Sequence, residues 1–523
     1  MSTAARLISG SAASWVQIAV TMASQIVLVP IYLNYWDVET YGVWLAIQGI
    51  MSVLSMLDYG HQNFLAYEFL RLGNNNLLAL SKYLWSGIIM GFIISLFQIF
   101  LIVLFFFSGI LTFLLGGGSN PKDLALMDAA GIALFLQGFS WMVFVTTAGL
   151  IGRALATFGY FPRTAWWSVL GATMTALVPL IAVMMGADLI ITSVAQVIRN
   201  CVYSIPLYID LLKLLKKEKI RFIKPSLSVG YTNFKMSLPL LGKSLFENVR
   251  QQGVRLLLAP MSGPVGLVAF STMRTGANVA LQGLNTIVNP LVPDLMRFLH
   301  ARDQPRTESA FATIWILVIA VMAPAIVILQ AFVEPFYLLW TQNKVTFDPL
   351  LFALLSLGVL VYAVVQPAMG VVIGNNLTKT QLALTAMAAV IVFSVLILSV
   401  PIVGIVGAAA ALLLAEIGAA IGYKIYAKRW LKENDLRWPS RAFHIAIAAV
   451  VIAAVSLGGL IIAPQLKWLL LPFSMLLFGL NFWRYWKVLP DIARQNAKNI
   501  IKKIPLINTL LTQILSKLRQ RIL

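Results

Sequence analysis

The chain has 523 residues, 60% of them hydrophobic and only 11% charged, against roughly a quarter charged in an ordinary globular chain. This composition excludes a soluble enzyme, a disulfide-built secreted scaffold and a disordered tail protein, and the long apolar runs are not the short alternating segments of a membrane barrel. For such a chain the net charge of +20 asks which membrane face holds the cations, not whether nucleic acid binds.

The first segment sets Arg6 before an apolar run from Ile8 to Leu33. The run is too long for a signal-peptide core and lacks a small-residue cleavage site, so it is expected as a retained first span. Windows of about 20 apolar residues predict further spans near 41–67, 83–108, 129–152, 163–185, 187–212, 237–258, 264–296, 309–333, 347–375, 380–400, 403–425, 441–463 and 466–487. The expected fold is an all-α integral membrane protein of fourteen transmembrane helices. Cys201 is the single cysteine and the three His are scattered, so neither an internal disulfide nor a metal site is expected.

Charge then sorts by side. Among basic residues, one set of loops and span edges carries only Lys122, Lys344 and Lys467, and five lie inside spans away from their cytoplasmic ends: Arg199, Lys243, Arg250, Arg255 and Arg274. The rest of the 39 Lys and Arg lie on the other side with both termini. Positive residues accumulate in the cytoplasm, so both termini are expected there. The tail places Ile507, Leu510, Leu511, Ile514, Leu518 and Ile522 on one face, with Lys517, Arg519 and Arg521 off it. It is expected to lie on anionic inner-leaflet lipids.

A weak internal repeat is visible. Gly149 and Gly370, like Gly186 and Gly407, are 221 residues apart. Pro30 and Pro260 close corresponding helices, and Gly42 and Gly266 open the next ones. Parallel repeats place two bundles about an axis along the membrane normal, with a site near the midplane. The expected organisation is a lobe over 1–212, a basic connection over 213–235, a second six-helix lobe over 236–425, two appended helices over 426–487 and a basic tail over 488–523.

Polar residues inside spans form stripes. Lys243, Glu247 and Arg250 fall at i, i+4 and i+7, leaving one positive charge unneutralised. Ser271, Arg274, Asn278, Gln282, Asn285 and Asn289 fall within about 80° at ~100° per residue. The second span carries Gln48, Ser52, Ser55, Tyr59, Gln62 and Asn63, and the first carries Ser14, Gln17, Thr21 and Ser24. Such stripes face a water-filled cavity or one another; interhelical hydrogen bonding is the plainer use of any single one. Lys243, Arg250, Arg255 and Arg274 against Glu247 make a cationic balance suited to phosphate. A static ion pair with Glu247, and a snorkelling Arg255, are the alternatives. The amides and hydroxyls suit sugar, and sugar with phosphate is the signature of a lipid-linked oligosaccharide. Asp58, in LDYG, and Glu416, in LLLAEIGAA, are candidates for a coupling proton or sodium ion, or for structural hydrogen bonds. No HExxH, P-loop or dinucleotide fingerprint is present, so no enzyme and no cofactor are expected.

Pro30, followed by the segments YGVWLAIQGI and LDYGHQNF with Tyr41, Gly42, Trp44, Asp58 and Gly60, gives the order found in one family, and VVQPAMGVVIGNNLTKTQL adds a glycine, a polar turn and Lys379. In these motifs the chain resembles polysaccharide flippases of the Wzx (O-antigen) type, within the multidrug/oligosaccharidyl-lipid/polysaccharide (MOP) exporter superfamily. The resemblance implies a multi-pass protein of the bacterial inner membrane. It implies alternating access and transfer of an undecaprenyl-pyrophosphate-linked oligosaccharide to the outer leaflet, for surface polysaccharide such as lipopolysaccharide. On that expectation Lys243, Arg250, Arg274 and Arg255 engage the pyrophosphate. Gln48, Ser52, Tyr59, Asn63, Asn278, Gln282, Asn285 and Asn289 face the sugars. A monomer working beside a glycan polymerase and glycosyltransferases, without nucleic acid, is expected. The alternative is a proton- or sodium-coupled exporter of small amphiphiles, related to MATE transporters, which would need Asp58, Glu247 or Glu416. A third possibility is a non-transporting scaffold of glycan assembly.

Overall fold

The computed structural model describes residues 3–73, 76–116 and 121–495. The side chains of Lys243, Arg250 and Asn289 lie outside the described residues, as does the amphipathic tail expected beyond 495. Every regular element among the described residues is helical. In chain order these are α1 (Thr3–Tyr35), α2 (Val38–Leu72), α3 (Leu77–Phe107), the short α4 (Ile110–Leu115), α5 (Pro121–Ser140), α6 (Thr146–Ala156), α7 (Phe161–Met184) and α8 (Leu189–Lys217). There follow α9 (Leu227–His300), α10 (Gln304–Leu317), α11 (Ala323–Trp340), α12 (Pro349–Gly374), α13 (Thr378–Val403), α14 (Ile405–Glu433), α15 (Ser440–Ile462) and α16 (Lys467–Val488). A π turn over Trp141–Val145 joins α5 to α6, and another over Val318–Met322 joins α10 to α11.

Among the described residues thirteen helices are long and apolar enough to cross a membrane. The expectation was fourteen spans. The difference lies in α9, which is continuous over 74 residues except at Gly263, where φ is 69° and ψ 173°. An L side chain is strained at such a φ and glycine is not, so the chain breaks there. The two limbs correspond to the spans expected near 237–258 and 264–296. The basic connection is also shorter than its charges suggest. Helix α8 runs on to Lys217 because Leu207, Leu211, Leu214 and Leu215 bury one stripe against Phe69, Leu80 and Leu84.

The residues group into two units. The first comprises the chain up to Gln282 together with Glu334–Leu355 and Leu382–Ala415. Here α1 packs chiefly on α7, and α2 on α3, α5 and α6. Helix α2 also runs antiparallel along the first limb of α9. A Cβ on Gly42 would fall into Pro264, one on Gly49 would meet Leu256 at 3.4 Å, and one on Gly60 would meet Leu241 at 2.8 Å. Small residues let membrane helices approach this closely.

The second unit comprises Gly283–Val333, Ser356–Gln381 and the chain from Glu416 onward. Trp315 is fully buried and its indole donates to the Val364 carbonyl at 2.8 Å. Around it Phe311, Trp438 and Phe443 form an aromatic cluster. Helices α15 and α16 pair with each other, and Tyr485 of α16 donates to the Ala312 carbonyl at 3.1 Å. The two last helices are therefore built into this unit's core.

Candidate functional site

A buried carboxylate organises the first unit. Asp58 of α2 is 0% exposed. Its Oδ2 accepts from Gln62 Nε2 at 2.7 Å, Trp141 Nε1 at 3.1 Å and Thr146 Oγ1 at 2.9 Å. Thr146 has one hydroxyl hydrogen and gives it to Asp58, so Ser95 of α3 is the donor in the 3.1 Å contact between the two hydroxyls. Oδ1 of Asp58 is buried with no hydrogen-bond partner. It faces α3 at Gly91, where a Cβ would stand 3.7 Å away. One oxygen of this buried carboxyl is thus fully served and the other is bare.

Arg153 completes the cluster. It lies on α6 inside the apolar span, whereas the sequence windows end this span at 152 and count Arg153 among the loop cations. Its Nη1 donates to Gln62 Oε1 at 2.5 Å and to the Gly149 carbonyl at 3.2 Å, and Nη2 donates to Asn63 Oδ1 at 3.0 Å. Its guanidinium lies 6.0 Å from the Tyr59 ring centroid, and Tyr59 meets Trp141 edge-on. Gln62 thus carries polarity from the guanidinium to the carboxylate. The signal that could have found Arg153 is the apolar run GLIGRALA, which continues the helix past it.

The remaining expected residues are distributed as follows. Gln48 donates to Gln137 at 3.2 Å, and Gln137 in turn reaches Ser193 at 3.5 Å. Ser52 and Asn248 of α9 pair at 3.2 Å. Gln282 donates to Gln25 of α1 at 2.8 Å. These groups hold α2, α5, α8, α9 and α1 together. Arg255 is half-buried; its Nη1 donates to Gln252 at 3.1 Å and its Nε is buried without a hydrogen-bond partner. Arg274 lies 5.9 Å from the Phe270 ring centroid, within cation–π range. Asn278 is half-buried on the same limb, Glu247 is exposed, and Glu416 is half-buried on α14. Asn285 belongs to the second unit and lines a cavity there.

One end of α1 is tied to the turn after α11. Pro30 has no N–H, so the Ile26 carbonyl loses its intrahelical donor. Trp340 Nε1 supplies the replacement at 2.6 Å. Gln342 Nε2 donates to the Pro30 carbonyl at 3.1 Å, and Lys344 Nζ to the carbonyl of Leu33 in the last turn. The sequence marks Pro30 only as a helix closer; the structure makes it a docking point.

No family model matches the sequence, and no curated protein matches it in sequence. Solved structures share the fold. A lipid II flippase, MurJ, in an inward closed conformation is similar with a TM-score of 0.66 at 15% identity, over 91% of this chain and 99% of that one. A multidrug resistance transporter of the MATE family of the MOP superfamily, inward-facing, is similar with a TM-score of 0.60 at 11% identity, over 80% and 95%. A MATE transporter of Vibrio cholerae follows with a TM-score of 0.50 at 14% identity, over 82% and 98%. The chain is a multi-pass, all-α membrane protein with the fold of these transporters.

Proposed function

We propose that the chain is a flippase for a lipid-linked oligosaccharide, moving an undecaprenyl-pyrophosphate carrier from the inner to the outer leaflet of the bacterial inner membrane by alternating access. The observation that carries this reading is Arg255, a cation committed within an apolar span with its Nε buried and unserved. A phosphate oxygen is the acceptor that chemistry calls for. Arg274 lies beyond the break in the same element, and Lys243 and Arg250 are the further candidates on the first limb. The likeness in fold to a lipid II flippase supports the same substrate class. In this reading both termini are cytoplasmic, and the surface polysaccharide machinery supplies and consumes the carrier.

The test is translocation of a fluorescent lipid-linked oligosaccharide in vesicles, together with glycan display in cells. Arg255→Gln with Arg274→Gln, and separately Arg250→Ala with Arg274→Ala, should lower transport at least about tenfold at equal amounts of folded protein, since each charge-assisted bond is worth roughly 1.5–3 kcal/mol. Undiminished transport in both pairs sinks the assignment.

Asp58 favours a second reading, export of a small amphiphile driven by protons or sodium, which the likeness to MATE transporters also supports. It makes Asp58, and not the cations of α9, indispensable. Asp58→Asn would then abolish gradient-driven efflux while the Arg255 and Arg274 variants transport normally.

A further inference from the structure

The second unit holds a cavity of about 250 Å³ between α9, α10 and α12. Its volume exceeds the ~150 Å³ that takes up benzene and falls below the usual ~300–1,000 Å³ of drug-sized ligand pockets. Its lining on α9 runs from Asn285 to Leu295, and on α12 from Tyr362 to Ile373. At 1.5 Å per residue each wall is about 15 Å long. A space so small and so long is a channel for one narrow chain.

Polarity is confined to one end. Asn285, Tyr362 and Gln366 lie at the start of both walls, while Leu291, Leu295, Met369 and Ile373 follow. Helices α9 and α12 run the same way along this stretch, so the apolar residues of both walls fall together. Charged side chains are absent among the lining residues. Gln366 Nε2 is buried with no hydrogen-bond partner, a donor whose burial is costly unless something accepts from it.

Gly370 makes the room. A Cβ there would come within 3.0 Å of Leu295. Its repeat-related glycine, Gly149, is covered by the Gln62 amide instead. Where the first half of the chain seats a polar network, the second leaves an apolar slot. Beyond Ile373 the slot ends, since a Cβ at Gly374 would overlap the Met296 sulfur.

We propose that this cavity binds an uncharged single-chain amphiphile, an aliphatic chain ending in a hydroxyl, ester or amide whose oxygen accepts from Gln366. The chain would lie along Leu291, Leu295 and Met369. An anionic head is disfavoured, because no cation meets it. This site is independent of the flippase reading.

The experiment is photolabelling of the full chain in lipid nanodiscs with a long-chain fatty alcohol carrying a mid-chain diazirine, followed by peptide mapping. The matching fatty acid and a diazirine alkane are run beside it. Adducts are expected on the α9 and α12 segments that hold Leu291 and Met369. Gln366→Leu should weaken competition by unlabelled fatty alcohol about tenfold, one neutral hydrogen bond being worth up to ~1.5 kcal/mol, and leave alkane labelling unchanged. Ala310→Phe, which fills the slot, should abolish labelling by both. Ile314→Phe on the same wall replaces it if that variant does not fold. Labelling of these segments that survives filling, or labelling by the fatty acid as strong as by the alcohol, overturns the proposal. Excess free fatty alcohol against excess phospholipid then distinguishes a soluble ligand from a bilayer lipid as its source.

Discussion

Trp141 Nε1 and Thr146 Oγ1, five residues apart in one helix, donate to the same oxygen of Asp58. In a regular α-helix, positions i and i+5 diverge by about 140° around the axis at ~100° per residue. The π turn over Trp141–Val145 removes that divergence: the Thr146 N–H bonds to the Trp141 carbonyl, and the extra residue brings both side chains onto one line. The turn is what gives the carboxylate its donors.

Thr146→Val should remove one of these donors without moving the backbone. Losing a donor to a buried carboxyl costs roughly 1–3 kcal/mol, so the variant should melt several degrees lower in detergent. A melting temperature equal to wild type would refute the role given to the Thr146 hydroxyl.

Arg153→Ala leaves Gln62 Oε1 and Asn63 Oδ1 without their donor, and a loss of about 1–3 kcal/mol is expected. Arg153→Lys should recover only part of it, because a single ammonium cannot reproduce a planar fork reaching two acceptors. Thermal unfolding of the three proteins orders them wild type, Lys, Ala. A lysine variant as stable as wild type would show that charge alone matters.

Gly60→Ala should separate α2 from α9, since the new methyl would stand 2.8 Å from Leu241 Cβ and 2.9 Å from its Cα. Overpacking of this kind costs roughly 1–3 kcal/mol. Gly73→Ala, where nothing lies within 4 Å but φ is +62°, tests backbone strain alone at about 1 kcal/mol. Cross-linking of α2 to α9 should fall in the first variant and persist in the second.

Pro30→Ala returns an N–H to α1 that competes for the Ile26 carbonyl, leaving the Trp340 indole without its acceptor. The expected result is a weaker tie between α1 and the turn after α11. Cys201 is the single cysteine, so Cys201→Ser gives a clean background for spin labels on either side of the contact. Distances should broaden in Pro30→Ala and again in Lys344→Ala. Unchanged distributions in both would show that the contact does not hold α1 to this turn.

Much of this was legible beforehand. Sustained apolar runs predict the spans, because the bilayer admits only backbones that satisfy themselves; the polar stripe on α2 points to Gln62 and Asn63, while Asp58, off that stripe, stands out only as a lone acid inside a span. Arg153 escaped because its helix continues past the apolar window, and the only cue is local. Gln48, Ser52 and Gln282 show the limit of periodicity. Helical spacing says which residues share a face, but not whether that face meets water, ligand or the amide of another helix. Here it meets Gln137, Asn248 and Gln25.

By itself, then, the amino-acid sequence determined the membrane class, the all-helical architecture and nearly every span, since these depend on local hydropathy summed over about 20 residues. Only the tertiary structure decided that the two limbs of α9 join through the single non-helical residue Gly263, and that Pro30 frees a carbonyl for Trp340. It also decided that the π turn aims two donors at Asp58, and that Gly370 opens a slot where Gly149 does not. Each of these depends on which atoms of distant segments come within hydrogen-bond or van der Waals reach, a matter of packing that no periodicity along a single helix encodes.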